Sequence, residues 1–384
     1  MELAAKSQLV DGEQNLCEGG SWESLCEHLH YHVLSHLPVL NLVRASLVSK
    51  HWRSIVASPS FIHLHSKGFT PRPWFFLYGI NFLVPAKSQA FAYDPYTRKW
   101  HCLPLKSFPE HDQTSLAVSS GFLYAITAST HLQICHKHDL FPEFLSLTPP
   151  MNCSRRNPIV NFVEDSISDS YKVIVCGGVS VFEDEDLAVE IFDSDAGSWE
   201  VCAGLPGEFR GSSSAHWTTS VICKGRFFVH EMYSGSTAAL DLHLKTWTPV
   251  HVLRPLGVRY SYLVSCAGNL LLAGTCSIQN RGTFALWKVD EVTLDCSEIG
   301  QMPEDLYSVF ESEEEDKTVN LKCVAAGEML YVFSLAKHNG YAVVSCQVSD
   351  DKCCWMQVPT LARSVNRFDN LVGLCAPVTL KNFF

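Results

Sequence analysis

The 384-residue chain has no run of 18 apolar residues and no basic-then-apolar leader, so neither a membrane-spanning helix nor a secretory signal is expected. It also has no block of lysine and arginine. The 29 basic residues stand against 40 acidic ones, for a net charge of −11. Nucleic acid selects a basic surface, so this balance argues against duplex or single-stranded nucleic acid as a main ligand. The Gly-rich phosphate loop, the Gly-x-Ser-x-Gly elbow and the His-Glu-x-x-His helix are missing, and with them the commonest sequence signs of catalysis. Sixteen cysteines are present, including the adjacent Cys353 and Cys354. Without a small-domain framework they point to reduced thiols, and thus to the nucleus and/or cytoplasm.

What the chain does have is a repeat. Asp is followed six residues later by Trp at Asp94/Trp100, Asp193/Trp199 and Asp241/Trp247, each with apolar residues before the Asp and a Pro soon after the Trp. Gly precedes a β-prone apolar run at "SSGFLYAI", "CKGRFFVH", "CAGNLLLAG" and "AAGEMLYVF", and in "SYKVIVCGG" the run ends in Gly177-Gly178. A second strand ("QAFAYD", "LAVEIFD", "STAALD"), a tight turn and a Trp-bearing third strand ("RKWHCLP", "GSWEVC", "KTWTPV") follow. Short runs bounded by Gly, Asp and Asn signal strands and hairpins. Pro104, Pro149, Pro206, Pro249, Pro303 and Pro359 close the units about every 51 residues, the length of a four-stranded propeller blade. The Trp residues are expected to fill space between blades and the Asp residues to fix turns.

The unit is similar to the kelch-repeat β-propellers over about residues 69–380, although Phe144 and Cys296 stand where Trp is expected in two units. The first unit supplies only three strands, while an apolar run at 370–378 follows the sixth. An open blade would leave ladder groups exposed, so this run is expected to enter blade one as its innermost strand and end at Pro377.

The segment before the repeats differs in kind. Apolar residues recur at helical spacing (Leu25, Leu29, Val33, Leu37; Leu40, Val43, Leu47; Trp52, Ile55, Val56), with Pro38 at the start of a second helix and Ser58-Pro59 ending a third. Three short helices cannot bury enough surface to fold alone, so the segment is expected to dock on a partner or the following domain. "HVLSHLPVLNLVRASLVSKHWRSIVASPSFIHLH" resembles the F-box, which docks onto the Skp-type adaptor of SCF ubiquitin ligases. The resemblance is carried by Leu37-Pro38, Leu40/Leu42/Val43, Arg44, "LVSKHW", Arg53 and "SPSF"; it departs at "SWESL", where Leu-Pro is usual, and at Ser49, where Cys is common. It implies that Leu29, Val33, Leu34, Leu37, Pro38, Leu40, Val43, Leu47, Val48 and Trp52 face the adaptor.

The whole is similar to the plant F-box/kelch-repeat proteins, in the branch that includes the floral-organ regulator F-box protein. The expected fold is mainly β: a six-bladed kelch-type β-propeller preceded by a small α-helical F-box domain. Its parts are a disordered leader at 1–20, the F-box at 22–66 and the propeller at 69–380, closed by the strand at 370–378. The resemblance implies a non-catalytic substrate receptor of an SCF-type E3 ubiquitin ligase, joined through the adaptor to the cullin–RING machinery and holding a protein target on the propeller. A non-degradative adaptor or transcriptional cofactor would have the same sequence, and a propeller enzyme or ligand sensor is a further class. No cofactor and no metal are expected. His28, His32 and His36 share a helix face without an acidic or thiol ligand beside them, and alternation sends Cys135 away from His136 and His138. The acidic runs Glu183–Asp186 and Glu311–Asp316 are expected as solvated loops. Arg155-Arg156, Arg210, Arg254, Arg259, Arg281 and Arg363 fall near blade starts; of these, Arg210, Arg254, Arg259, Arg281 and Arg363 are the candidate target-binding residues, since binding groups concentrate on loops of rigid scaffolds.

Overall fold

In the computed structural model the described residues are 26–68, 72–81, 84–103, 115–119, 122–127, 131–135, 144–155, 157–164, 170–178, 188–278, 281–311, 321–334, 341–349, 352–361 and 370–384. The chain divides into a helical unit, residues 1–70, and a unit of strands, residues 71–383. The leader at 1–20 lies outside the described residues, as do Arg156, Arg363, His136, His138, the run Glu183–Asp186 and 312–316.

Four helices are described in the first unit, one more than the spacing predicts: α1 (Glu27–Ser35), α2 (Val39–Ser46), α3 (Lys50–Val56) and α4 (Pro59–Gly68). The starts of α2, α3 and α4 have chemical causes. Pro38 sits immediately before α2, and the Ser49 hydroxyl accepts the Trp52 amide at 3.1 Å to cap α3. Ser58-Pro59, expected only as a stop, is also a start. The Ser58 hydroxyl accepts the Phe61 amide at 3.2 Å, and Pro59 occupies the first helical position, where its missing N–H costs nothing. Leu34, Leu42, Ile55, Val56 and Phe61 form the interior of this unit, and Tyr31 meets the Phe61 ring edge-on at 5.5 Å.

The strand unit opens with β1 (Trp74–Ile80), β2 (Gln89–Asp94) and β3 (Lys99–Leu103), then β4 (Ser115–Ser119), β5 (Phe122–Thr127), β6 (His131–Cys135) and β7 (Phe144–Leu147). Next come β8 (Ile159–Glu164), β9 (Tyr171–Cys176), β10 (Val189–Asp193), β11 (Ser198–Cys202), β12 (Thr218–Cys223), β13 (Arg226–Glu231), β14 (Ser236–Asp241) and β15 (His251–Val252). The chain continues through β16 (Val258–Cys266), β17 (Asn269–Ile278), β18 (Arg281–Val289), β19 (Cys296–Gln301) and the short helix α5 (Glu304–Tyr307). It ends with β20 (Leu321–Ala326), β21 (Met329–Ser334), β22 (Val343–Ser349), β23 (Lys352–Gln357) and β24 (Asn370–Ala376).

Among the described residues these strands pair into six four-stranded antiparallel sheets, five of them meandering in chain order. In the sheet β4–β7, Ile126, Leu132 and Ile134 are buried. The remaining sheet has the order β24-β1-β2-β3, with Trp74 opposite Ala376 and Ile80 opposite Asn370. The strand stops one residue before Pro377, which has no N–H for the ladder. First strands of neighbouring sheets touch in the sequence β4, β8, β12, β16, β20, β24 and back to β4. The unit is a mainly-β propeller, with apolar side chains packed between neighbouring sheets.

The repeat explains itself at atomic level. Asp94, Asp193, Asp241 and Asp290 each accept the backbone amide two residues on through Oδ1, at 2.9 Å. Four residues beyond each Asp the backbone turns left-handed, at Arg98 (φ 55°), Gly197 (63°), Lys245 (56°) and Leu294 (59°). The indole N–H groups of Trp100, Trp199 and Trp247 donate to Pro359 O (2.7 Å), Pro149 O (2.8 Å) and Ala203 O (3.0 Å), each at the end of the preceding sheet. The third strand expected at "KTWTPV" is a correction: Trp247 makes only an isolated bridge to Leu240, and pairing resumes at His251–Val252. Pro249 falls between them and cannot donate to the ladder.

Candidate functional site

On the helical unit, burial separates the residues expected to face an adaptor. Leu29 (43% exposed), Val33 (44%), Leu47 (79%) and Val48 (70%) present apolar surface, while Leu37, Pro38, Leu40, Val43 and Trp52 are half-buried. Leu34 is a correction. It is 1% exposed, so its side chain belongs to the unit's own interior and has no surface to offer a partner. Val33 and Leu34 are adjacent on α1, and helical spacing alone cannot say which of two adjacent apolar residues points inward. Two histidines of the stripe engage each other: the His32 and His36 rings meet edge-on at 4.7 Å, and His36 Nδ1 lies 2.7 Å from His32 O. No group of three metal-capable side chains occurs among the described residues.

On the propeller, topology places the candidate arginines. In a sheet whose strands run alternately up and down, the connection between second and third strands and the passage to the next sheet lie at the same end. Arg210 and Arg254 sit in such passages, Arg259 at the start of β16 and Arg281 at the start of β18. All four therefore lie at one face of the propeller, called here the leading face. Arg210, Arg254 and Arg259 are exposed. The Arg254 Nε and Nη2 each donate to Val258 O at 3.2 Å, and Arg259 Nη2 donates to Ser277 Oγ at 3.2 Å.

Arg155 has a different fate from Arg210, Arg254 and Arg259. It is 1% exposed and forms an ion pair with Glu190 at 2.8 Å, both side chains fully buried. Arg155 also donates to Gly177 O (2.8 Å) and Ala188 O (3.0 Å). Glu190 accepts from the Asn152 backbone and side-chain amides at 2.7 and 2.8 Å. Burial alone would raise the Glu190 carboxyl, but the Arg155 and Asn152 hydrogen bonds outweigh it and hold the group below the usual carboxylate range. This arginine clamps the passage between β7 and β8 onto the next sheet and is unavailable to a target. Gly177, whose carbonyl it grips, has φ +63° and could carry no Cβ, which would lie 1.9 Å from Ser213 O.

The same face carries a row of aromatic rings outside the repeat. The Trp217 and Tyr233 rings lie 5.8 Å apart, Tyr233 and Tyr260 6.1 Å, and Tyr260 and Tyr262 6.0 Å. Backbone bonds fix their spacing, with Met232 N donating to Trp217 O at 2.8 Å and Ser261 N to Met232 O at 2.9 Å. The Tyr260 hydroxyl accepts the Leu321 amide at 2.7 Å. Near the row His230 is fully buried between Thr237 Oγ1 (2.8 Å) and Ser261 Oγ (2.9 Å). Burial pushes its pKa down to about 3, so it is a neutral structural histidine. Burial likewise pushes the Cys176, Cys266 and Cys276 thiols up to about 12, which keeps them protonated and poorly nucleophilic. No sequence pattern marked Trp217 or Tyr233, because neither has the Asp six residues before it that flags the packing tryptophans.

The F-box domain family model matches residues 22–64. An F-box/kelch-repeat protein of Arabidopsis thaliana is 30% identical over 340 residues, covering 85% of this chain and 82% of that protein. A second F-box/kelch-repeat protein of Arabidopsis thaliana is 24% identical, covering 90% of this chain and 88% of the relative. Protein UNUSUAL FLORAL ORGANS of the same plant is 21% identical, covering 82% of this chain and 74% of its own length.

Proposed function

The chain belongs to the F-box/kelch-repeat proteins, and from that membership we propose that it is the substrate-recognition subunit of an SCF-type ubiquitin ligase. The helical unit docks the Skp-type adaptor, and through it the cullin–RING machinery, while the propeller, a ring of six kelch-type blades closed by β24, holds the protein to be ubiquitinated. The chain itself is non-catalytic. It supplies proximity, bringing an acceptor lysine near a bound conjugating enzyme. Its place of action is the nucleus and/or cytoplasm.

The observation that carries this is the match to the F-box family over a helical unit that leaves Leu29, Val33, Leu47 and Val48 on its surface. Leu47 and Val48 are adjacent and more than two-thirds exposed, an arrangement that burial against a partner would stabilise. The experiment is co-purification of the full chain with a Skp-type adaptor. Leu47→Ala/Val48→Ala should weaken binding at least about tenfold, which requires only ~1.4 kcal/mol, with the fold intact by circular dichroism. Adaptor recovery by the double variant equal to that of the unaltered chain would count against the docking assignment.

A further inference from the structure

We propose that Trp217 and Tyr233, with Arg254 beside them and Leu256 and Arg259 on the same face, form the docking surface for a segment of a target protein that combines acidic with large apolar side chains. The proposal rests on the propeller being the target-binding part, and it names the chemistry of that target. Trp217 and Tyr233 are each 49% exposed, with rings 5.8 Å apart, and Leu256 is fully exposed. Large rings held open to solvent on a rigid support are the residue types that dominate protein interfaces. The row is rigid because Trp217, Met232 and Ser261 are cross-linked by backbone bonds of 2.8 and 2.9 Å, so little freedom is lost when a partner lands. Gly235 brings the arginine into line. Its φ is +82°, and a Cβ there would lie 2.9 Å from Arg254 Cβ, so the Arg254 stem runs against the same loop that carries Tyr233.

Charge decides which partner fits. The chain carries a net charge of −11, yet the passages 203–217 and 253–257, the loop 232–235 and the first residues of β16 carry Arg210, Arg254 and Arg259 against one exposed carboxylate, Glu208. The carboxylate nearest Tyr233 in sequence, Glu231, is 9% exposed and accepts the Ser234 amide. A guanidinium has five donors in a fork that matches a carboxylate, and the bonds to Val258 O engage two of those on Arg254. An acidic segment would be attracted and a basic one repelled. The exposed Trp217 and Tyr233 rings and Leu256 offer apolar surface and no charge, so the segment needs its apolar residues as well.

The test is selection of a phage-displayed library of random peptides, each about 12 residues long, on the full chain. A Trp217→Ala/Tyr233→Ala variant serves for counter-selection. Enriched peptides should combine Asp or Glu with Leu, Phe, Trp or Tyr. A synthetic copy should lose at least about tenfold in affinity against both Trp217→Ala/Tyr233→Ala and Arg254→Glu/Arg259→Glu. The arginine variant alters only exposed side chains, so it keeps the test open should the aromatic one misfold. Enrichment of basic peptides, no enrichment, or equal binding to the arginine variant would overturn the proposal. Adaptor co-purification reads a different unit of the chain, so failure of the peptide selection and failure of the ligase assignment are distinguishable.

Discussion

Glu190 has no exposed surface and yet stays ionised, because Arg155 and the Asn152 amides surround it. Removing one member of such a pair leaves the other charge buried and alone, so Arg155→Ala should cost about 3–5 kcal/mol of propeller stability, read as a shift in urea midpoint. A cost below about 1 kcal/mol would show that the clamp is not structural. His230 contributes to the response to pH. Its folded pKa of about 3 lies below the ordinary 6.5, so the unfolded chain binds the extra proton in that window. The neutral imidazole's stabilisation is therefore complete above pH 6.5 and lost progressively as pH falls below it. Between pH 6.5 and 5 the loss should approach ~2 kcal/mol, and His230→Gln should flatten that slope while lowering stability at pH 7.5. Glu190 adds the opposite kind of group with the same direction of effect: its lowered carboxyl stabilises above the usual carboxylate range, and that contribution disappears as pH falls through the folded value. Arg155 shows the limit of sequence at this scale. Its neighbours in chain gave no sign that it, unlike the exposed Arg210, Arg254 and Arg259, would turn inward, because its partner, Glu190, is 35 residues away.

At the scale of elements, the Asp-to-Trp spacing was legible because it is local chemistry. Asp fixes the turn, a left-handed residue follows four positions on, and the indole reaches back to the preceding sheet. The sheet of β20–β23 departs from the pattern: Ser349 pairs with Lys352 and Trp355 with Cys346, so its tryptophan follows a tighter hairpin than the Asp turn of the other units. The fourth helix was not legible, since Ser58-Pro59 reads equally as an end and as a cap. Trp199→Phe should keep the packing, lose the bond to Pro149 O and cost about 1 kcal/mol; an unchanged melting midpoint would mean the indole N–H is unimportant. Gly373 gives a sharper test of the terminal strand. A Cβ there would lie 2.3 Å from Phe333 Cζ, so Gly373→Leu should break the seat of β24 against β21. Removal of 370–384 should unfold or aggregate the propeller, because β1 would lose the partner it pairs with from Trp74 to Ile80. A soluble, cooperatively folding protein without that segment would refute the closure.

For the whole molecule, the proposed function divides labour between the two units. Removing residues 1–66 should leave the propeller folded and still bound to its targets, but unable to recruit the ligase, so that the shortened chain protects those targets. The family was legible because the F-box and the repeat are both written in local motifs. The docking row was not, because Trp217, Tyr233 and Tyr260 come from separate connections that only the fold brings together. The most direct measurement is the lifetime of proteins that the propeller labels by proximity in cells expressing the full chain or the chain lacking 1–66, with cullin neddylation active or blocked. Both forms should label the same proteins, and those proteins should turn over faster only with the full chain and active neddylation. Equal lifetimes in all four conditions would contradict a substrate receptor.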